Sequence, residues 1–141
     1  MTIVETKNRS RTSRIGYRLG VVLLSVVAAT IVWFIATLAG AEFAVTSPLA
    51  GTMSIDLTLL IATVLPIALA AWGVLALLER FTPRAKSIWT IAAVIVLVLS
   101  LPPLALLGAT VGTTVALVLM HLVTGLILIL GLRRGARSQV E

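Results

Sequence analysis

No cysteine occurs in the 141 residues, which excludes disulfides, iron–sulfur clusters and thiol chemistry within the chain. The four-helix thiol oxidoreductases are therefore ruled out as a class. Charge is scarce as well. Asp, Glu, Lys and Arg make up 11% of the sequence, against about 25% in ordinary soluble domains. The five acids are Glu5, Glu42, Asp56, Glu79 and Glu141, so no uncharged run carries a pair of carboxylates. There is no His-x-x-Glu-His pattern and no Gly-rich phosphate loop before a helix. Hydrolytic and nucleotide-driven chemistry thus lack their usual residues, and the expectation is a protein that is not an enzyme and has no cofactor or metal.

What is present in excess is apolar surface. Hydrophobic residues reach 60%, where soluble domains run at about 45 to 50%. The apolar residues fall in four long uncharged runs, and a hydrocarbon layer of about 30 Å needs about 20 helical residues to cross. Leu19 to Ala41 is the first run, about 23 residues, or about 34 Å as a helix. The others cover about 57–78, 87–107 and 111–132. The expected fold is all-α: a four-helix transmembrane bundle over 19–132, between a basic tail at 1–18 and a second at 133–141.

Local signals refine the boundaries. Ser54 or Asp56 suits the N-cap of the second span. Thr82 followed by Pro83 suits the cap and first position of the third. Pro102 and Pro103 remove the hydrogen bonds that the carbonyls of Val98 and Leu99 would accept, so the third helix should kink or end early there. Residues 42–56 read as a loop with Ser47, Pro48, Gly51 and Ser54, and 108–112 as a tight turn. Tyr17, Trp89 and Phe43 fall where interfacial aromatics belong, whereas Trp33 and Trp72 lie deeper and need indole partners inside the bundle.

The net charge of +6 acquires meaning from position. Five basic residues lie in the first tail (Lys7, Arg9, Arg11, Arg14, Arg18), three between the second and third spans (Arg80, Arg84, Lys86) and three at the end (Arg133, Arg134, Arg137). None lies in the two other connections. Basic residues flanking spans stay on the cytoplasmic side, so both termini are expected in the cytosol and four crossings in the plasma membrane. The same asymmetry removes nucleic acid as an expected partner and makes anionic lipid at the inner leaflet a natural one. A secretory signal with Ala39-Gly40-Ala41 as its cleavage site is the competing reading of the first run. Signal h-regions are about 7 to 15 residues, so the longer run favours an uncleaved helix.

His121 is the sharpest candidate for chemistry, because ionisable side chains at membrane depth are costly and default to a functional hypothesis. Thr30, Thr63 and Ser100 fall at similar depth in the other spans, and Pro66 frees the Ala62 carbonyl to accept a bond from the imidazole. The bland alternative is a neutral histidine tying helices together, at about 0.6 kcal/mol per bond. A haem site would need a second axial ligand from another protomer. Glu79 with Arg80 and Arg84 is expected to form an interfacial ion pair closing the second hairpin. Glu42 and Asp56 read as solvated loop charges. Small residues four apart (Gly16 and Gly20, Ala36 and Gly40, Gly108 and Gly112, Gly131 and Gly135) permit close helix approach or dimerisation, but three of the four pairs fall at helix ends where glycine caps.

Two stretches carry a resemblance: Glu79-Arg80-Phe81-Thr82-Pro83-Arg84-Ala85 with Ile88-Trp89-Thr90 and Ser100-Leu101-Pro102-Pro103, then Leu119-Met120-His121-Leu122-Val123 with Gly131-Leu132-Arg133-Arg134. They are similar to an uncharacterised family of small four-helix actinobacterial membrane proteins, the family of unknown function DUF6069. The resemblance implies fold and compartment and no activity. On function, the residues favour a non-enzymatic membrane protein that packs against partner proteins or a second copy. The alternative is a small dimeric transporter subunit with His121 as its midplane proton or substrate contact.

Overall fold

The computed structural model describes residues 3–49 and 51–136. Arg137 and the side chains of Lys7, Arg9 and Arg11 lie outside the described part of the chain. In order the elements are α1 (Ile3–Leu38), β1 (Ala44–Ser47), β2 (Gly51–Ser54), α2 (Leu57–Phe81), α3 (Ala85–Leu99), α4 (Leu101–Ala105) and α5 (Val111–Arg134). Four segments are long and apolar enough to cross a membrane: Thr12–Leu38, Leu57–Phe81, Ala85–Leu104 and Val111–Arg134, of 27, 25, 20 and 24 residues. They form a ring in which α1 packs against α2 and α5, and α3 packs against the same two.

At most 33% of any of the four apolar windows is buried inside the chain. Much of the apolar surface therefore faces outward, as Leu23, Ile35, Ile67, Ile91, Leu99 and Leu130 do. In water such a surface would drive aggregation; in lipid it is the solvated surface. Most of the buried apolar remainder forms two clusters stacked along the bundle. One comprises Val21, Val22, Ala68, Leu75, Trp89, Leu128 and Leu132. The other comprises Ala29, Phe43, Val45, Leu60, Ala116, Leu117 and Met120.

Helix boundaries follow the local chemistry with some displacements. Helix α1 begins at Ile3, so the basic segment before Leu19 continues the first span as helix, and α1 stops at Leu38 rather than Ala41. Asp56 caps α2, its carboxylate accepting the Leu59 N–H at 2.7 Å. Thr82 does not cap α3. Its N–H closes α2 on the Leu78 carbonyl, its hydroxyl accepts the Arg84 N–H at 3.2 Å, and α3 starts only at Ala85. Thr110 caps α5, accepting the Thr113 N–H. The helix of the third span stops at Leu99 and resumes as the single turn α4, with Pro102 and Pro103 in its first positions. Proline fits there because the first N–H groups of a helix have no partner inside it.

The connection at 42–56 is not a plain loop. Its ends pair as an antiparallel hairpin with Ala44 opposite Ser54 and Val45 opposite Met53. Thr46 also bridges to Gly108, its N–H donating to the Gly108 carbonyl at 2.8 Å. The hairpin is thereby joined to the turn before α5.

Candidate functional site

The structure brings together two of the four midplane candidates. His121 Nε2 and Ser100 Oγ are 2.5 Å apart, across the junction where α3 stops. Ser100 Oγ also donates to the Leu97 carbonyl at 2.9 Å. A hydroxyl has one hydrogen, so while it is given to Leu97 the oxygen's lone pairs face the imidazole, and the complementary tautomer is the one that carries Nε2–H. The interruption at Ser100 orients this hydroxyl, and Gly125 one turn below His121 lets α3 approach. A Cβ built at Gly125 would meet Leu97 at 2.5 Å. Thr124, also one turn from His121, and Trp89 bury a polar atom without a hydrogen-bond partner among the described residues.

The other two candidates do not join. Thr63 donates to the Leu59 carbonyl at 2.8 Å and Thr30 to the Val26 carbonyl at 3.0 Å, each one turn back on its own helix. The partner of the imidazole is Ser100, not the Ala62 carbonyl freed by Pro66. Intrahelical bonds of this kind satisfy the hydroxyl without reaching across the bundle.

The ion pair at Glu79 also differs from expectation. Arg18 Nη2 lies 2.6 Å from Glu79 Oε1, with both side chains 8% exposed, whereas Arg80 and Arg84 are exposed. The same guanidinium donates to the Gly135 carbonyl through Nη2 at 2.8 Å and Nε at 3.3 Å. Arg18 thus ties the start of the first apolar run to the ends of α2 and α5. These three chain segments consequently lie at one end of the bundle, and with them Arg80, Arg133 and Arg134. Close packing accompanies the clamp: a Cβ at Gly131 would meet Val21 at 2.6 Å, and one at Gly135 would meet Tyr17 at 2.8 Å. Gly131 and Gly135 therefore serve helix approach inside the chain, while Gly16, Gly20 and Gly112 face open space.

The opposite end is closed by the hairpin. Phe43 adopts φ 52, a left-handed conformation that costs a non-glycine residue about 1 to 3 kcal/mol. Its surroundings hold it there. The Phe43 N–H donates to Thr113 Oγ1 at 3.2 Å, its carbonyl accepts from Ile55 at 2.9 Å, and its ring packs 5.8 Å from Trp33. Trp33 finds its indole partner in the Ile55 carbonyl at 3.0 Å, at the base of the hairpin. Phe43 and Trp89 are buried, so neither belongs to an exposed aromatic belt; Tyr17 remains exposed.

Among the described residues no group of three or more His, Cys, Asp or Glu could hold a metal ion. An all-helical bundle with four apolar spans, an outward apolar surface and basic residues at one end is a multi-pass membrane protein. The chain belongs to the family of unknown function DUF6069, which it matches over residues 9–138. No curated protein and no solved structure matches it.

Proposed function

We propose that this chain is a non-enzymatic component of the plasma membrane, with both termini in the cytosol, that packs against and stabilises partner membrane proteins. The observation that carries this reading is the destination of the hydroxyls within the spans. Ser25, Thr30, Thr63 and Ser100 donate to carbonyls three or four residues back on their own helices. Among the described residues the midplane contact between helices is the Ser100–His121 bond, with the Thr124 hydroxyl one turn away making no hydrogen bond, a tie between helices rather than a chain of proton-transferring groups. A transport pathway needs convergent polar groups at the midplane, usually with a carboxylate. The third span is the least buried of the four, at 6% of its apolar window, and α3, which buries Ala85 and Trp89, offers its outward surface to lipid or to a neighbouring helix.

The basic end of the bundle supports the proposed orientation. Arg18, Arg80, Arg133 and Arg134 gather beside the Arg18–Glu79 clamp, and the hairpin end carries Glu42 and Asp56. Cationic flanks are retained in the cytoplasm, which favours the cytosolic face for the clamp.

Purification from native membranes in mild detergent, followed by mass spectrometry, tests the proposal. The expected result is recovery of the same membrane proteins at fixed stoichiometry. A chain that leaves the membrane alone, and that in proteoliposomes supports a pH-driven flux abolished by His121→Ala, would replace this reading with a transporter.

A further inference from the structure

Helices α1 and α5 part on their outward side to leave an apolar groove of about 500 Å³. Two stripes line it: Tyr17, Gly20 and Leu24 on α1, and Leu126, Leu130 and Arg134 on α5. The spacing i, i+4, i+8 on α5 runs the groove along the helix axis for about 12 Å. One leaflet of the hydrocarbon core is about 15 Å deep. The groove is thus about as long as a single leaflet is deep, with its apolar end at Leu24 and Leu126 and its polar end at Arg134 and Tyr17. Its width depends on Gly20, where an added Cβ would meet nothing within 4 Å.

We infer that this groove holds one acyl chain of an anionic phospholipid, with the headgroup phosphate at Arg134. The inference rests on the proposed orientation, which places this end in the cytoplasmic leaflet, where anionic lipid is concentrated. Three features select the occupant. The groove opens sideways into the bilayer, its walls are aliphatic over the length of one leaflet, and among the described residues its charged lining residue is a cation, Arg134, at the headgroup level. The long arginine stem can lie against the apolar wall while the guanidinium reaches the phosphate. Arg18, the nearest buried cation in sequence, is committed to Glu79 and the Gly135 carbonyl. A second copy seated on this face would bring another Arg134 to the same depth, and like charges at one level oppose that pairing.

Native mass spectrometry of the full chain, titrated in detergent with phosphatidylglycerol or phosphatidylcholine, provides the test. The intact protein is expected to retain one phosphatidylglycerol in preference to phosphatidylcholine. Arg134→Gln should weaken phosphatidylglycerol retention about fivefold, which is about 1 kcal/mol, and weaken phosphatidylcholine, whose choline cation already offsets its phosphate, by less, so that the preference between the two lipids narrows. Gly20→Leu builds into open space and should displace both lipids, with the melting temperature preserved. Arg133→Gln carries the same charge change outside the groove and should retain both. Equal retention of the two lipids by the intact protein would overturn the inference, as would undiminished retention by Gly20→Leu. A Gly20→Leu variant that turns a dimer into a monomer without altering bound lipid would assign the groove to a second copy instead. None of these results touches the membrane orientation, which is tested separately by labelling.

Discussion

The two ends of the bundle are closed by different physics. At the basic end, a buried guanidinium, a carboxylate and a helix-terminal carbonyl are drawn together by charge, and glycines bring α1 and α5 into contact. At the hairpin end, closure is made by shape: a strained Phe43 under a two-stranded hairpin, with Trp33 and Thr113 satisfying the exposed backbone. A charge clamp is strong only while every member is present, because removing one takes from another a partner that offsets its burial. A packed plug loses stability in proportion to the volume removed.

The largest expected effect tests the first half of that contrast. Arg18→Leu leaves Glu79 buried without this partner and should cost about 3 to 5 kcal/mol of unfolding free energy, measured by denaturant titration in detergent. Combining it with Glu79→Leu should recover much of the loss, since an apolar pair can replace a buried ion pair at little net cost. If the double variant is as unstable as the single one, the clamp is not a charge pair. Phe43→Ala should come next, at about 3 kcal/mol or more for a buried phenyl ring. Hydrogen exchange is expected to rise in the hairpin and at Thr113 and to stay low near Arg18; a uniform rise would mean that the two ends are one cooperative unit.

Gly131→Ala forces a methyl against Val21 and should cost about 1 to 3 kcal/mol, whereas Gly16→Ala meets open space and should be neutral or stabilising by up to about 1 kcal/mol. Equal costs at both positions would deny the close approach of α1 and α5. The smallest effect belongs to the midplane. Ser100→Ala removes the one interhelical bond of His121 and should cost about 0.6 kcal/mol, while Thr63→Ala, which loses an intrahelical bond, should fall below that. A loss of several kcal/mol at Ser100 would mean that the midplane pair, and not the two ends, sets the stability of the bundle.

The sequence disclosed what depends on solvent and on neighbours along the chain. Four uncharged runs, the Asp56 cap and the break near Pro102 and Pro103 are consequences of local composition. What it concealed depends on partners far apart in sequence. Arg18 and Glu79 are 61 residues apart and Phe43 and Thr113 are 70 apart, whereas Arg80 and Arg84 are nearer to Glu79 along the chain and are its natural partners by sequence. The hairpin is hidden in the sequence because its strands are four residues each and are rich in Ser, Thr and Gly, which read as loop. Its one local clue is the apolar pair Phe43 and Val45, two apart, with the side chains of a strand facing one way. At the midplane, the shared depth of Ser100 and His121 followed from span positions, but depth alone could not separate Ser100 from Thr30 and Thr63, whose hydroxyls turn back on their own helices.

Because the native chain has no cysteine, single thiols report the membrane orientation without background. Leu49, 98% exposed at the hairpin tip, and Ser87, exposed in the first turn of α3, lie on opposite faces if the helices span the bilayer as described. A membrane-impermeant maleimide applied to intact cells is predicted to modify Leu49→Cys and to reach Ser87→Cys only after permeabilisation. Modification of Ser87→Cys in intact cells with Leu49→Cys protected, or equal modification of both, would contradict it.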